Sequence, residues 1–179
     1  MTKKIEVEIR SIISTHQFKR LKEYFNEKGT FIEKNYEETV HFSGPKDLRI
    51  RRDSHKAYLI LKEGQMHDNA REELEVLVPK KDFGVLERIF ISLGFKITSR
   101  WKRSRIVYKW KGIKVHLGIT RGYGRIIEFE KVVSESKKEE TYSKIRRAFE
   151  SLKIKATTKR EFEVKYNRYL RQWRNILSD

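Results

Sequence analysis

The sequence predicts an α+β protein in which antiparallel strands outnumber helices and carry the chemistry. Three observations predict it. Short stretches alternate apolar with charged residues, beginning with KKIEVEIR, where Ile5, Val7 and Ile9 oppose Glu6, Glu8 and Arg10. Amphipathic helical stretches stand between the strands and close the chain. A strand–helix–strand–strand–strand pattern runs through once and then again.

Taken in order, KKIEVEIR is followed by a helix that Thr15 would cap, with Phe18, Leu21 and Phe25 as its apolar stripe and Gly29 as its stop. TFIEKNYEETVHF reads as a strand and SGPKD as the turn after it, then DLRIRR and KAYLILKEG as two short strands. Gly64 to Asn69 is the stretch with the composition of a flexible connector. The pattern restarts at REELEVLV, which sets Arg71, Glu73 and Glu75 against Glu72, Leu74, Val76 and Val78. A helix from Pro79 or Asp82 follows, with Phe83, Leu86, Phe90 and Leu93 aligned and Gly94 as its stop. The strands FKITSRWKRSRIVYKW, GIKVHLG and RIIEFEKVV complete the second pass. Two C-terminal helices are expected, at about 137–152 (Tyr142, Ile145, Phe149, Leu152) and 161–177 (Phe162, Tyr166, Tyr169, Leu170, Trp173, Ile176). The whole reads as one domain over 1–179, with pattern halves at 1–64 and 70–133 and a helical segment at 137–179.

Composition narrows the function. Charged residues reach 37%, against about 25% in ordinary domains, and 42 Lys+Arg against 25 Asp+Glu leave a net +17. That excess favours an anionic partner, a phosphorylated molecule or a nucleic acid, over a merely solvated surface. The chain has no cysteine, which excludes disulfides, a thiolate nucleophile and a thiolate zinc site. No stretch approaches the ~18 consecutive apolar residues of a membrane span, and the start lacks a signal core, so a cytoplasmic protein is expected.

The charges sort by strand. Residues two apart share a face, so Arg49 and Arg51 point together, as do Ile60 and Lys62, Arg103 and Arg105, and Glu128 and Glu130. Leu48 and Ile50, Leu59 and Leu61, and Ile127 and Phe129 form apolar opposite faces. Such a sheet either turns its charges to water or curls into a barrel around them. Segregation of Glu in KIEVEIR, REELEVLV and IIEFEKVV from Arg and Lys in LRIR, LILK and KRSR favours the barrel. If the first and last strands are close, Glu6, Glu8, Glu128 and Glu130 form an all-oxygen cluster suited to Mg²⁺ or Mn²⁺. The basic strands then offer donors for phosphate oxygens. His16, His41, His55, His67 and His116 show no metal-ligand spacing; His116 is in phase with Lys114 and Gly118 and would face the lumen.

Taken together, these segments resemble the CYTH family, the triphosphate tunnel metalloenzymes, which include class IV adenylate cyclases, thiamine triphosphatases and inorganic tripolyphosphatases. EVEIR resembles the family's opening ExExK, with Arg10 for its Lys. LRIR, LILKEG, REELEV and KRSRIVY resemble its inner motifs, and LGITRGYGRIIEFE aligns without a gap to its closing pattern. The resemblance implies an eight-stranded antiparallel β-barrel with helices packed outside. It implies Glu6, Glu8, Glu128 and Glu130 as metal ligands and Arg10, Arg49, Arg51, Lys62, Arg103 and Arg105 as phosphate binders. Glu73 and Glu75 match acidic positions that orient the basic residues or balance charge, and Tyr108 is a packing residue. The family pattern has Asp where this chain has Gly118. The expected activity is metal-dependent hydrolysis of an inorganic, organic or nucleoside triphosphate. The alternatives are an adenylate cyclase and a non-catalytic binder of polyphosphate or RNA, with an RNA 5′-triphosphate end uniting the readings. Trp101, Trp110, Tyr123 and Trp173 are candidates for stacking on bases.

Overall fold

The computed structural model describes residues 4–64 and 70–178; the connector read at Gly64 to Asn69 lies, apart from Gly64, outside the described residues. Along the chain come β1 (Lys4–Ile13), α1 (Thr15–Lys28), β2 (Thr30–Phe42), β3 (Asp47–Arg52), β4 (Ala57–Lys62) and β5 (Ala70–Val78). Then follow α2 (Phe83–Ser92), β6 (Ile97–Trp110), β7 (Ile113–Thr120), β8 (Gly124–Ser134), α3 (Lys138–Glu150) and α4 (Lys159–Ser178). The eight strands close an antiparallel barrel in the order β1-β5-β4-β3-β2-β6-β7-β8, with β8 returning to β1. The two passes of the pattern interlock in it. Each pass's first strand pairs with the other pass's last, β1 with β8 and β5 with β4. Among the described residues no helix is long and apolar enough to cross a membrane.

The apolar core lies outside the barrel wall, because most strands send an apolar face outward beneath a helix. Leu21 and Phe25 of α1 settle on β6–β8, where Phe25 is fully buried among Tyr24, Tyr108, Trp110 and Phe129 at ring separations of 5.3–6.1 Å. Ile145 and Phe149 of α3 close the same cluster over Ile9 and Val7. Phe83 and Phe90 of α2 cover Val40, Phe42 and Ile50, and Tyr169 and Trp173 of α4 pack on Tyr123 and Ile126. Each fully buried side chain of this size contributes about 1.5–3 kcal/mol. Tyr108 is the packing residue expected, its hydroxyl 2.6 Å from Asn26 Oδ1. Trp110 and Trp173 are core residues as well, which removes both from base stacking.

Local departures from the expected elements have simple causes. Ser14, not Thr15, caps α1: its side chain accepts from Gln17 N, while Gln17 Oε1 accepts from Ser14 N at 2.9 Å. Gly29 ends α1 because a Cβ there would sit 2.8 Å from the Phe25 carbonyl oxygen. In α2 the stripe stops at Phe90; Leu93 lies past the helix end and is 68% exposed. On β5, Leu74 and Val76 face outward with no helix over them and are also exposed. Gly122, at φ +71°, turns β7 into β8 directly under Ile176 of α4, a position with room for neither a Cβ nor an L-residue's ordinary backbone.

Candidate active site

Closing the barrel turns the alternating charges of all eight strands into its lumen, a cavity of about 320 Å³. All twelve residues singled out in the sequence line it: Glu6, Glu8 and Arg10 from β1; Arg49 and Arg51 from β3; Lys62 from β4; Glu73 and Glu75 from β5; Arg103 and Arg105 from β6; Glu128 and Glu130 from β8. Others join them to which the sequence reading gave no site role, although it placed Arg71 and Lys114 on the inward faces of their strands. Glu37, Thr39 and His41 enter from β2, Arg71 from β5 and Lys114 from β7. Eight cationic and seven anionic side chains therefore share this lumen among the described residues. The cavity is nearly balanced in itself, and almost the whole +17 excess lies elsewhere on the molecule.

The acidic wall is set by register. Glu8 and Glu130 are direct partners across β1 and β8, as are Arg10 and Glu128. Burial would raise Glu128, but Arg103, His116, Arg10 and Arg105 outweigh it and hold its carboxyl at about 2. Burial is likewise overcome at Glu130 by His116, whose Nε2 is 3.1 Å away, and by Lys114, so its carboxyl stays well below the ordinary range. Glu8 goes the other way: burial pushes it up against the opposing charges of Arg10 and Lys62. At Glu6 burial again dominates, and a hydrogen bond with Glu73 adds to it; Glu73 is lowered by that bond and by Lys62. Lys62 Nζ stands between them, 2.8 Å from Glu6 Oε2 and 2.5 Å from Glu73 Oε2.

The basic groups are held by carboxylates. Arg51 reaches Glu75 at 2.9 Å, and Arg105 pairs with Glu37. Asp47, read as the last residue of the turn SGPKD and the first of the strand DLRIRR, is a buried hub: Arg49 donates to both its oxygens, Arg71 donates at 2.9 Å, and His41 stands 3.7 Å away. Burial, reinforced by Arg49 and Arg103 against the pull of Asp47, lowers His41 to about 4, so its ring is neutral near pH 7. His116, which faces inward as expected from its phase, is buried against Glu130 instead of lining the open cavity.

Gly118 has a clear structural reason. A Cβ there would lie 3.3 Å from Arg103 Cδ and 3.7 Å from Cγ. The arginine stem lies flat over the glycine, its Nε donating to Thr120 Oγ1 at 3.1 Å and its Nη1 to Glu128 at 3.4 Å. The space a side chain would fill at 118 holds a cation's stem. At one end of the lumen, α4 contributes Phe162 and Tyr166 beside Trp101, Tyr123 and Ile126. Trp101 packs on Tyr123 with ring centroids 4.8 Å apart, leaving Tyr123 only 3% exposed, so Tyr123 serves this closure and not an open stacking surface.

The donor set fits a hard divalent cation. Its carboxylates supply only oxygen, and Glu8 Oε1 is buried with no hydrogen-bond partner, the kind of oxygen a cation would satisfy. Among the described residues, no three His, Asp or Glu side chains already converge as a ligand set. The carboxylates are turned instead toward the arginines and lysines described above.

Comparison with known proteins places this geometry. The CYTH domain matches residues 4–162. A protein of Methanocaldococcus jannaschii named "putative adenylate cyclase" is 30% identical over 143 residues, 73% of this chain and 79% of that protein. A conserved hypothetical protein of Pyrococcus furiosus superposes with a TM-score of 0.71 at 34% identity, over 84% of this chain and 91% of its own. A Hippeastrum protein, titled as a putative adenylyl cyclase with a dominant triphosphatase activity, shares the fold at a TM-score of 0.64 and 18% identity, over 92% of this chain and 95% of its own. With a closed eight-stranded barrel, charges on its inner face and a domain match over most of its length, this chain belongs to the CYTH family.

Proposed function

We propose that this protein hydrolyses a triphosphate-containing small molecule, with the phosphate chain held inside the barrel and Mg²⁺ or Mn²⁺ as cofactor. One observation carries the reading: Arg49, Arg51, Lys62, Arg103 and Arg105 share a single lumen with the carboxylates of β1 and β8. A phosphate chain takes over those guanidinium and ammonium donors from Asp47, Glu75, Glu73 and Glu37, and bidentate guanidinium contacts orient it. Arg10, beside Glu8 at 3.5 Å, extends the row. Glu8 and Glu130, flanked by Glu6 and Glu128, would hold the divalent ion, which supplies charge neutralisation at the phosphate oxygens when bound. Water then attacks the terminal phosphorus in line; the new P–O bond forms as the bond to the bridging oxygen breaks, and a lumen glutamate takes the proton. Glu73 and Glu75 hold Lys62 and Arg51 in place.

Relatives named as adenylate cyclases motivate a second reading, in which the ATP 3′-hydroxyl attacks the α-phosphorus. One experiment separates them. Purified protein is incubated with tripolyphosphate, ATP or thiamine triphosphate, with and without Mg²⁺ or Mn²⁺, and orthophosphate, pyrophosphate and cyclic AMP are measured. Metal-dependent orthophosphate release is expected. Cyclic AMP with stoichiometric pyrophosphate would transfer the assignment to the cyclase, and no turnover of any substrate would overturn both.

A further inference from the structure

The helices do not cover the outer face of the barrel all the way round. One apolar cluster covers it as far as the cross-strand row Ile106, Leu117 and Ile127, and α2 covers it from Val40 onward. Between these lies a row whose apolar members, Tyr36 and Ile119, belong to no core cluster. Tyr36 of β2 pairs directly with Ser104 of β6, Ser104 with Ile119 of β7, and Ile119 with Arg125 of β8. Tyr36, Ser104 and Arg125 point away from the lumen, because their chain neighbours Glu37, Arg103, Arg105 and Ile126 line it. Ile119 shares their face through the pairing. Four strands at their ordinary spacing make the row roughly 14 Å long.

Tyr36 is 59% exposed, and among the described residues it touches no other ring and makes no side-chain hydrogen bond. Phe31, also exposed, packs edge-on against Tyr108. Cations surround the free tyrosine. Lys34 stands two residues away on the same strand face, and Lys102 lies diagonally across on β6. Arg121 sits beside Lys102, its N–H bonded to the Lys102 carbonyl at 2.9 Å, and Arg125 ends the row. None of these four cations has an ion-pair partner among the described residues. Glu38, directly across from Lys102, is already engaged by Arg52 and Arg100. Elsewhere on the exterior, Lys28, Lys46, Lys138 and Arg146 each have a carboxylate partner.

We propose that this outer row is a docking surface for single-stranded nucleic acid, with a base stacked on Tyr36 and the phosphates running over Lys34, Lys102, Arg121 and Arg125. A free aromatic face among unpaired cations is the combination that such a strand requires. A membrane or a protein partner would need apolar surface to bury, and beyond Tyr36 the row supplies only Ile119, 38% exposed. A duplex hides its base faces from the ring. The surface lies outside the barrel and is independent of what the lumen hydrolyses. It uses base faces and phosphates, which RNA and DNA share.

The probe is a fluorescent oligouridylate of about 12 nucleotides, with a 5′-hydroxyl so that no terminal phosphate can enter the lumen; binding is read by anisotropy across a salt series. Tyr36→Ala is expected to weaken binding about tenfold, while Tyr36→Phe keeps wild-type affinity. Lys34→Ala and Arg121→Ala, both at exposed positions, should each lower the slope of log affinity against log salt by about 0.7. An oligothymidylate of the same length is expected to bind alike and a duplex more weakly. Lys22→Ala, exposed on α1 and outside the row, should change nothing. No binding by wild type, full affinity in Tyr36→Ala, a duplex held as tightly as the single strand, or equal losses in Lys22→Ala would overturn the proposal. The same variants are expected to hydrolyse tripolyphosphate as wild type does, so failure of the triphosphatase reading and failure of this one are read separately.

Discussion

Gly118→Ala separates phosphate binding from stability, because the two are expected to move in opposite directions. The new methyl would lie 3.3 Å from Arg103 Cδ, closer than side chains ordinarily pack, so the arginine stem must lift by a few tenths of an ångström. Its Nη1 is already 3.4 Å from Glu128 Oε1, at the outer limit of a hydrogen bond, and its Nε is fixed to Thr120 at 3.1 Å. A guanidinium shifted from the place these bonds give it meets a phosphate oxygen out of line, and forfeits part of the ~1.5–3 kcal/mol that a charge-assisted hydrogen bond to that oxygen would supply. About 1 kcal/mol, roughly fivefold in affinity for tripolyphosphate, is the expected loss. Gly118 lies in ordinary strand conformation, so alanine there restricts the unfolded chain and adds about 0.4–1 kcal/mol of stability. Calorimetric titration with tripolyphosphate and thermal denaturation of the same samples read both quantities. An alanine variant that binds as tightly as wild type would show that Arg103 does not depend on the bare backbone beneath it. One that binds weakly only because it melts lower would show backbone strain in place of a displaced cation.

Other perturbations test other parts of the account. Lys62→Met leaves Glu6 and Glu73 facing each other without their shared cation; breaking a buried pair costs about 3 kcal/mol, and the melting temperature at pH 7 is expected to fall by roughly 6–12 °C. The fall should be smaller at pH 5, where the carboxylate pair takes up a proton more readily, and scanning calorimetry at the two pH values checks this. Phe25→Ala removes the centre of the largest cluster and is expected to cost about 3–5 kcal/mol in urea denaturation, without altering tripolyphosphate affinity in the protein that remains folded. His41 titrates at about 4 in the folded protein against 6.5 in its ordinary state. The unfolded chain thus binds the extra proton first, and stability is lost as pH falls from 6.5 towards 4, by roughly 3 kcal/mol at most. Below that, protonation of Glu128, with its folded value at about 2, removes more stability on the way from 4.5 downward. His41→Gln should flatten the first decline and leave the second, in melting curves taken between pH 7 and 3.

The parts of this molecule that were legible in the sequence are those where local pattern and tertiary environment agree. KIEVEIR, LRIR, LILK and IIEFE each alternate between an apolar face for a helix and a charged face for the lumen, so strand, phase and site came together. That β1 closes on β8 was a condition for bringing both glutamate pairs around one ligand and came from the family resemblance; the register meets it by setting Glu8 against Glu130. What stayed hidden depends on contacts across the barrel. Asp47 opens the strand DLRIRR in phase with Arg49 and Arg51, but its role as a hub was not legible, because only the barrel brings Arg71 and His41 to it from other strands. The lumen phase of β2 was readable in principle, since Glu37, Thr39 and His41 alternate with exposed Tyr36 and buried Val40, but its mixed composition gave no reason to choose a face. Gly118 looked like a missing carboxylate because the arginine that lies on it comes from a different strand. Net charge pointed to an anionic partner but not to its place: the lumen is nearly balanced in itself, and most of the cationic excess lies elsewhere on the molecule.

Whether the phosphate chain lies inside the barrel is read from a crystal structure of the protein with bound tripolyphosphate and Mn²⁺. Phosphate density is expected within the lumen, with Arg49, Arg51 and Arg105 turned from their carboxylates onto phosphate oxygens and Mn²⁺ beside Glu8 and Glu130. Phosphate bound only on the exterior basic surface, with those ion pairs intact, would contradict it.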